Sequence, residues 1–208
     1  MGMPRWIAAV LSLGLPWAVH AQVIDFELTP AEALRVAGGE LVIRADLDDS
    51  QRRGTVRAAL RIAAPPAAVF DAMTQCADAL DYVPHLRECR VNSQSADGLV
   101  RLVEHEVDFG WYAPRIRYVI RADLVEDRSI AFRQVSGDFK VNEGVWDLAP
   151  DGAGTLLRYR VHIDPPGYVP NWLARSTFKK ELPNMLAGLK RHCEAEQRAR
   201  AQAKVSPR

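Results

Sequence analysis

The sequence predicts an α+β domain in which a curved antiparallel sheet wraps around one long C-terminal helix. Two observations predict it. Six strand-like segments, separated by turn formers, follow one another between residues 89 and 164. After them, Phe178, Leu182, Met185, Leu189 and Cys193 are spaced by four, three, four and four, an apolar stripe on one helix face. The stripe's natural partner is the apolar face of the sheet. The stretch Gly-Asp-Phe-Lys-Val-Asn-Glu-Gly-Val-Trp at 137–146 condenses the pattern: a glycine turn opens a strand that carries an aromatic on one face. An architecture of this kind encloses an apolar cavity, so the sequence also raises the question of what the cavity holds.

The N-terminus reads as a processing signal. Arg5 is a short basic region, residues 6–19 form an apolar run, and Val19-His20-Ala21 is a small-residue cleavage site. The run of about 14 residues falls short of the roughly 20 that a bilayer core requires, and Gly14 and Pro16 disfavour a helical anchor. An uncleaved anchor is the alternative reading. Cleavage after Ala21 leaves residues 22–208, one domain's worth of chain, exported and expected in a periplasm. The 208 residues include 27 basic and 26 acidic ones, and loss of Arg5 balances them at 26 each. No basic field then draws the chain to nucleic acid or to an anionic membrane.

The elements follow in order. Residues 22–53 form an extension. In it, Thr29-Pro30-Ala31-Glu32 is a capping box with proline at the first helical position, and Gly38-Gly39 stops the short helix. Residues 40–46 alternate, with Leu41, Ile43 and Ala45 on one side. Residues 55–63 alternate again, Val56, Ala58, Leu60 and Ile62 opposing Arg57 and Arg61, so the two segments pair as a hairpin across the polar 48–54 link. The main domain, 54–200, continues with two short helices, at 67–75 after Pro65-Pro66 and at 79–83 before Pro84. Strands are predicted at 89–94, 99–109, 115–126, 129–135, 139–149 and 155–164. The final helix starts near Pro170-Asn171 and runs to about residue 200, with a kink or restart at Pro183, which lacks a backbone donor. Residues 201–208 are a charged tail.

Alternation separates two faces. Tyr118, Ile120, Leu124, Trp146, Leu148, Tyr159 and Val161 share an apolar face, whereas arginines and carboxylates crowd the other. Glu104 and Glu106 are expected across from Arg117 and Arg121, as cross-strand pairs on a solvated surface. That parity leaves His105 inward, beside Val103 and Val107. Turns of a meander alternate between its ends, so the 110–114 turn, Gly137-Asp138 and the 165–172 exit belong at one end. Trp111, Tyr112, Phe139, Tyr168 and Trp172 gather there. Loop packing is one reading of these aromatics; a cavity mouth, or a patch for transient membrane or envelope-protein contact, is the other.

Export permits disulfides, and three cysteines leave one over. Cys76 and Cys89 sit close in sequence around a helix–turn–strand link and are expected to pair, leaving Cys193 as a buried thiol on the helix stripe. Neither CxxC nor HxxxH spacing accompanies them, so no metal is expected. No GxSxG, HExxH, P-loop or dinucleotide fingerprint is present, so no catalytic residue and no cofactor is expected. His105, Tyr118 and Tyr159 are the polar groups on which a cyclisation in the cavity would depend.

Several motifs together resemble a known superfamily: Ile62-Ala63-Ala64-Pro65-Pro66-Ala67-Ala68-Val69-Phe70, Tyr82-Val83-Pro84, Gly137-Asp138-Phe139, Gly144-Val145-Trp146 and Thr155 with Tyr159. Over about residues 54–196 they are similar to the START-like (SRPBCC, Bet v 1-like) helix-grip proteins, in the polyketide cyclase/dehydrase and coenzyme Q-binding branch. The resemblance implies the helix-grip fold and a lipid, isoprenoid quinone, sterol or polyketide held between sheet and last helix; some relatives cyclise or dehydrate their ligand. The expected cavity wall is His105, Tyr118, Ile120, Phe132, Trp146, Tyr159 and Val161 from the sheet, with Phe178, Leu182 and Met185 from the helix. The expected function is binding or carriage of a hydrophobic small molecule. Catalysis and ligand-free docking to an envelope protein are the rivals.

Overall fold

The computed structural model describes residues 26–111 and 113–205. The expected signal segment and cleavage site, Tyr112 and the last three residues lie outside the described residues. Helix α1 (Pro30–Ala37) precedes strands β1 (Val42–Leu47) and β2 (Gly54–Ile62). Helices α2 (Pro66–Thr74) and α3 (Cys76–Tyr82) follow. Strands β3 (Leu86–Gln94), β4 (Val100–Val107), β5 (Ile116–Val125), β6 (Ser129–Gly137), β7 (Val141–Asp151) and β8 (Gly154–Asp164) complete the sheet. A continuous helical stretch closes the chain: α4 (Asn171–Ser176), a π-helical turn (Thr177–Glu181) and α5 (Leu182–Val205). The eight strands are antiparallel in the order β1-β2-β8-β7-β6-β5-β4-β3, an open curved sheet that grips α5. This is the helix-grip arrangement. Among the described residues no helix is long and apolar enough to cross a membrane.

Local chemistry accounts for the element ends. Both halves of the capping box form at α1: the Glu32 N–H donates to Thr29 Oγ1 and the Thr29 N–H to Glu32 Oε2. Pro183 produces a π turn rather than a break. The Leu182 N–H donates to the Thr177 carbonyl five residues back, and this wider turn accommodates the proline ring and its missing donor. Helix α3 begins at Cys76, three residues earlier than expected, and β3 begins at Leu86 just after His85 at φ 62°.

The main core lies between the concave sheet face and helices α2 and α5. Leu60, Ile62, Leu157, Leu186 and Leu189 are fully buried there. Leu186 is a core residue absent from the expected stripe, because the helix buries a face wider than one row of side chains.

The extension corrects one expectation. Leu41 and Ile43 do face the main core, but Ala45 is exposed and Val42, on the opposite side, is the buried residue of β1. Phe26 and Val36 pack with Val42, Ala59 and Val145 in a second small core. Helix α1 therefore covers part of the convex face, which explains why Val145 sits apolar on the charged side of β7.

The remaining convex surface is laced by ion pairs. Glu106 lies opposite Arg117 and accepts from its Nε at 2.6 Å and from Arg115 at 2.9 Å. The second expected pair does not form: Glu104 faces Val119 and binds Arg90 and Asn92 of β3, and Arg121 turns to Asp123 on its own strand. The Cys76–Cys89 disulfide is formed, with Cα atoms 5.1 Å apart, and ties the first residue of α3 to β3. Cys193 is a free, buried thiol that burial pushes up to about 12.

Candidate functional site

The inward faces of β3–β8 and the undersides of α2, α3 and α5 enclose a cavity of about 200 Å³. Period-two alternation delivers its aromatic wall. Trp146 and Tyr159 are directly opposed on β7 and β8 and stack with ring centroids 3.6 Å apart and planes 19° apart. Phe132 of β6 lies parallel to Tyr159 at 6.4 Å. Gly144 makes room for that ring: a Cβ there would stand 2.8 Å from Phe132 Cζ and closer still to the Arg160 carbonyl. On the other flank His105 of β4 meets its cross-strand partner Tyr118 edge-on at 5.2 Å. Gly137 permits β6 to end against β5 at this point, since its Cα side lies against the Tyr118 backbone at φ 130°.

Polar groups in the cavity are few. His105 Nδ1 is buried and makes no hydrogen bond among the described residues. Burial holds its imidazole down at about 4, so the ring is neutral near pH 7. Asn142 of β7 is 8% exposed and lines the cavity. Burial pushes the Tyr118 phenol up to about 12 and raises Tyr159 as well, so both keep their protons. Tyr118, Ile120, Phe132 and Trp146 are half-buried although they stand deep in the fold, because the surface they expose faces the cavity.

Of the expected wall, His105, Tyr118, Ile120, Phe132, Trp146, Tyr159 and Met185 line the cavity. Val161 does not; it is buried at 4% in the solid core. Phe178 and Leu182 do not line it either and pack against the same core, so Met185 and Leu189 are the α5 residues that reach the cavity. Met73, Tyr82, Arg101 and Asn142 also line it and were missed. Parity with His105 and Trp146 was the available signal for Arg101 and Asn142. That Met73 and Tyr82 reach the cavity depends on how α2 and α3 dock.

The expected mouth needs correction. None of Trp111, Phe139, Tyr168 and Trp172 lines the cavity. After β8 the chain folds back, and Val169, Leu173 and Ala174 bury against Ala113 and Ile116, flanked by Phe109, Phe139 and Tyr118. This small core fills the aromatic end. Trp111 (97% exposed), Tyr168 (49%) and Trp172 (57%) stand outside it. The cavity rim is at the opposite end, where exposed Gln75 sits with Thr74, Cys76 and Arg101. There the Arg101 guanidinium donates to the Gly98 carbonyl at 3.1 Å and the Thr74 carbonyl at 3.0 Å.

An apolar cavity between a curved sheet and a C-terminal helix, with a handful of inward polar groups, is the arrangement of a helix-grip domain. Residues 62–190, more than half of the chain, match the family described as polyketide cyclase / dehydrase and lipid transport, and the chain belongs to that family. No curated protein sequence matches it. Among solved structures, similarity extends to a STAR-related lipid transfer protein from Xanthomonas axonopodis (17% identity, 74% of this chain and 93% of that one, TM-score 0.61). The Zhui aromatase/cyclase from Streptomyces sp. R1128 is similar at 17% identity over 72% of this chain and 96% of that one, TM-score 0.57. A START superfamily protein from Mycobacterium smegmatis is similar at 17% identity over 68% and 97%, TM-score 0.58. At these identities the likeness is one of fold.

Proposed function

We propose that the chain is an exported START-like protein that binds and carries a compact hydrophobic molecule, of lipid, isoprenoid-quinone or polyketide-like chemistry, in the periplasm. The observation that carries this reading is the cavity, whose stacked Trp146–Tyr159 wall is interrupted by His105 Nδ1, unpartnered among the described residues, and by the Asn142 amide. Apolar walls supply affinity, and the two polar groups favour an oxygenated ligand that can accept from the amide or donate to the imidazole. At about 200 Å³ the cavity is smaller than the roughly 300–1,000 Å³ typical of small-molecule sites, which favours a compact molecule or one end of a longer one. The test is native mass spectrometry of protein taken from its own envelope, followed by organic extraction and tryptophan-fluorescence titration with quinones and fatty acids. Co-purified ligand and quenching are expected; an empty protein with no fluorescence response would sink the reading.

The same groups support binding over chemistry. General acid–base work calls for a group that titrates near the working pH, whereas His105 is held near 4 and the tyrosines stay protonated. A cyclase or dehydratase reading draws on the fold likeness to an aromatase/cyclase. It requires His105→Ala and Tyr159→Phe to abolish turnover of whatever ligand is recovered. A third role, transient contact with a membrane or envelope protein, draws on exposed Trp111, Tyr168 and Trp172 at the filled end. Loss of such contact in Trp111→Ala, with cavity ligand content unchanged, is its signature.

A further inference from the structure

Helix α3 packs across α5, and the contact brings together three groups far apart in sequence. His192 and Glu196, four residues apart on α5, share one face. Asp78, in the first turn of α3, meets them. His192 Nε2 lies 3.9 Å from Asp78 Oδ2 and 3.8 Å from Glu196 Oε1, and one ligand atom from each residue falls within 4.8 Å of the others. We propose that Asp78, His192 and Glu196 form a binding site for one divalent first-row transition-metal ion, zinc being the best fit.

The geometry favours an ion over an ordinary ion-pair network. His192 Nε2 is buried and makes no hydrogen bond among the described residues, although two carboxylates flank it. Buried ring nitrogens without a partner are rare. Both carboxylates converge on the same nitrogen, where one proton could serve only one of them at a time. Zinc, with ligands at about 2.0–2.2 Å in a tetrahedron, places ligand atoms on the order of 3.3 Å apart. The observed separations need only a small side-chain adjustment to reach that value.

The neighbours are disposed to support such a site. Asp81 Oδ2 faces the other ring nitrogen, Nδ1, at 3.9 Å, the position from which a carboxylate orients a metal-bound histidine. Arg200 donates to Glu196 Oε2 at 3.3 Å, leaving Oε1 toward the centre. One imidazole nitrogen with two carboxylates selects zinc, cobalt or nickel over calcium and magnesium, which prefer oxygen alone. The fourth position is left to water. The consequence is mechanical: Cys76, Ala79 and Tyr82 of α3 line the cavity, and the helix is already tied to β3 by the disulfide. An ion would tie its other side to α5.

The experiment uses tag-free, disulfide-bonded full-length protein, stripped with chelator and titrated with Zn²⁺ and with Co²⁺. The expected result is uptake of one equivalent, a visible cobalt absorption of four-coordinate type, and a rise in Tm on zinc addition. His192→Gln, Asp78→Asn and Glu196→Gln should each weaken binding at least tenfold and remove the Tm rise, whereas His162→Gln, on the convex face, changes neither. Circular dichroism and Tm in chelator establish that each variant is folded. Should Asp78→Asn fail to fold, Glu196→Gln on the half-exposed side of α5 decides. No uptake by the wild type, or undiminished uptake by the folded variants, overturns the proposal.

Discussion

The Arg101 guanidinium donates to the Thr74 carbonyl at 3.0 Å, joining β4 to the last residue of α2 across the cavity rim. The bond spans two elements that the chain itself connects only through α3 and the whole of β3. Arg101→Met keeps the aliphatic bulk and removes the strut. It should cost about 1–2 kcal/mol of stability in urea unfolding. Stopped-flow release of an apolar fluorescent probe should be severalfold faster; unchanged release would show that ligand leaves elsewhere.

The Cys76–Cys89 disulfide closes a short loop, with a sequence separation of 13, and anchors α3 against β3. Restricting a loop of that size in the unfolded chain stabilises by about 3 kcal/mol. Reduction, or the Cys76→Ala/Cys89→Ala pair, should lower the unfolding free energy by about that amount. Because both cysteines line the cavity, probe affinity should fall as well. A reductant-insensitive unfolding midpoint would contradict this.

Gly144→Ala places a methyl against the Phe132 ring and the Arg160 carbonyl. The ring is the far end of a side chain, but the carbonyl belongs to the β7–β8 ladder and cannot yield. A loss of about 3 kcal/mol is expected, with disturbed near-ultraviolet signals from Trp146, the next aromatic on the same face. Wild-type stability in this variant would mean the strands adjust more freely than their register suggests.

His105 couples stability to pH. Its folded value, about 4, lies below the ordinary 6.5, so the unfolded chain binds a proton that the folded chain refuses. Stability from this group is complete above about pH 6.5, declines as pH falls from there to about 4, and levels off below. The full loss is on the order of 3 kcal/mol. His105→Leu, which cannot titrate, should remove that part of the slope; identical pH profiles for the two proteins would contradict it.

How much of this was legible depended on distance along the chain. Period-two alternation placed Tyr118, Trp146 and Tyr159 on one face, and the helix stripe placed Leu189 and Cys193 inward, because both patterns repeat within a few residues. The disulfide was legible from cysteine parity and spacing. Gathering of the 110–114, 137–138 and 165–172 segments at one end followed from strand parity. What that end does was not legible. Whether aromatics open a cavity or fill it depends on the path after β8, where Val169, Leu173 and Ala174 turn back over Ala113 and Ile116.

The sequence by itself determined the element order, the helix-grip class, the family resemblance and most of the aromatic wall, since local periodicity and turn chemistry encode them. Tertiary structure alone decided where the cavity opens, that Val161, Phe178 and Leu182 stand beside it rather than in it, and that Met73 and Tyr82 enter it. It also decided that Asp78 meets His192 and Glu196. These outcomes depend on how α2, α3 and α5 dock onto the sheet, a packing of surfaces remote in sequence that no short-range pattern specifies.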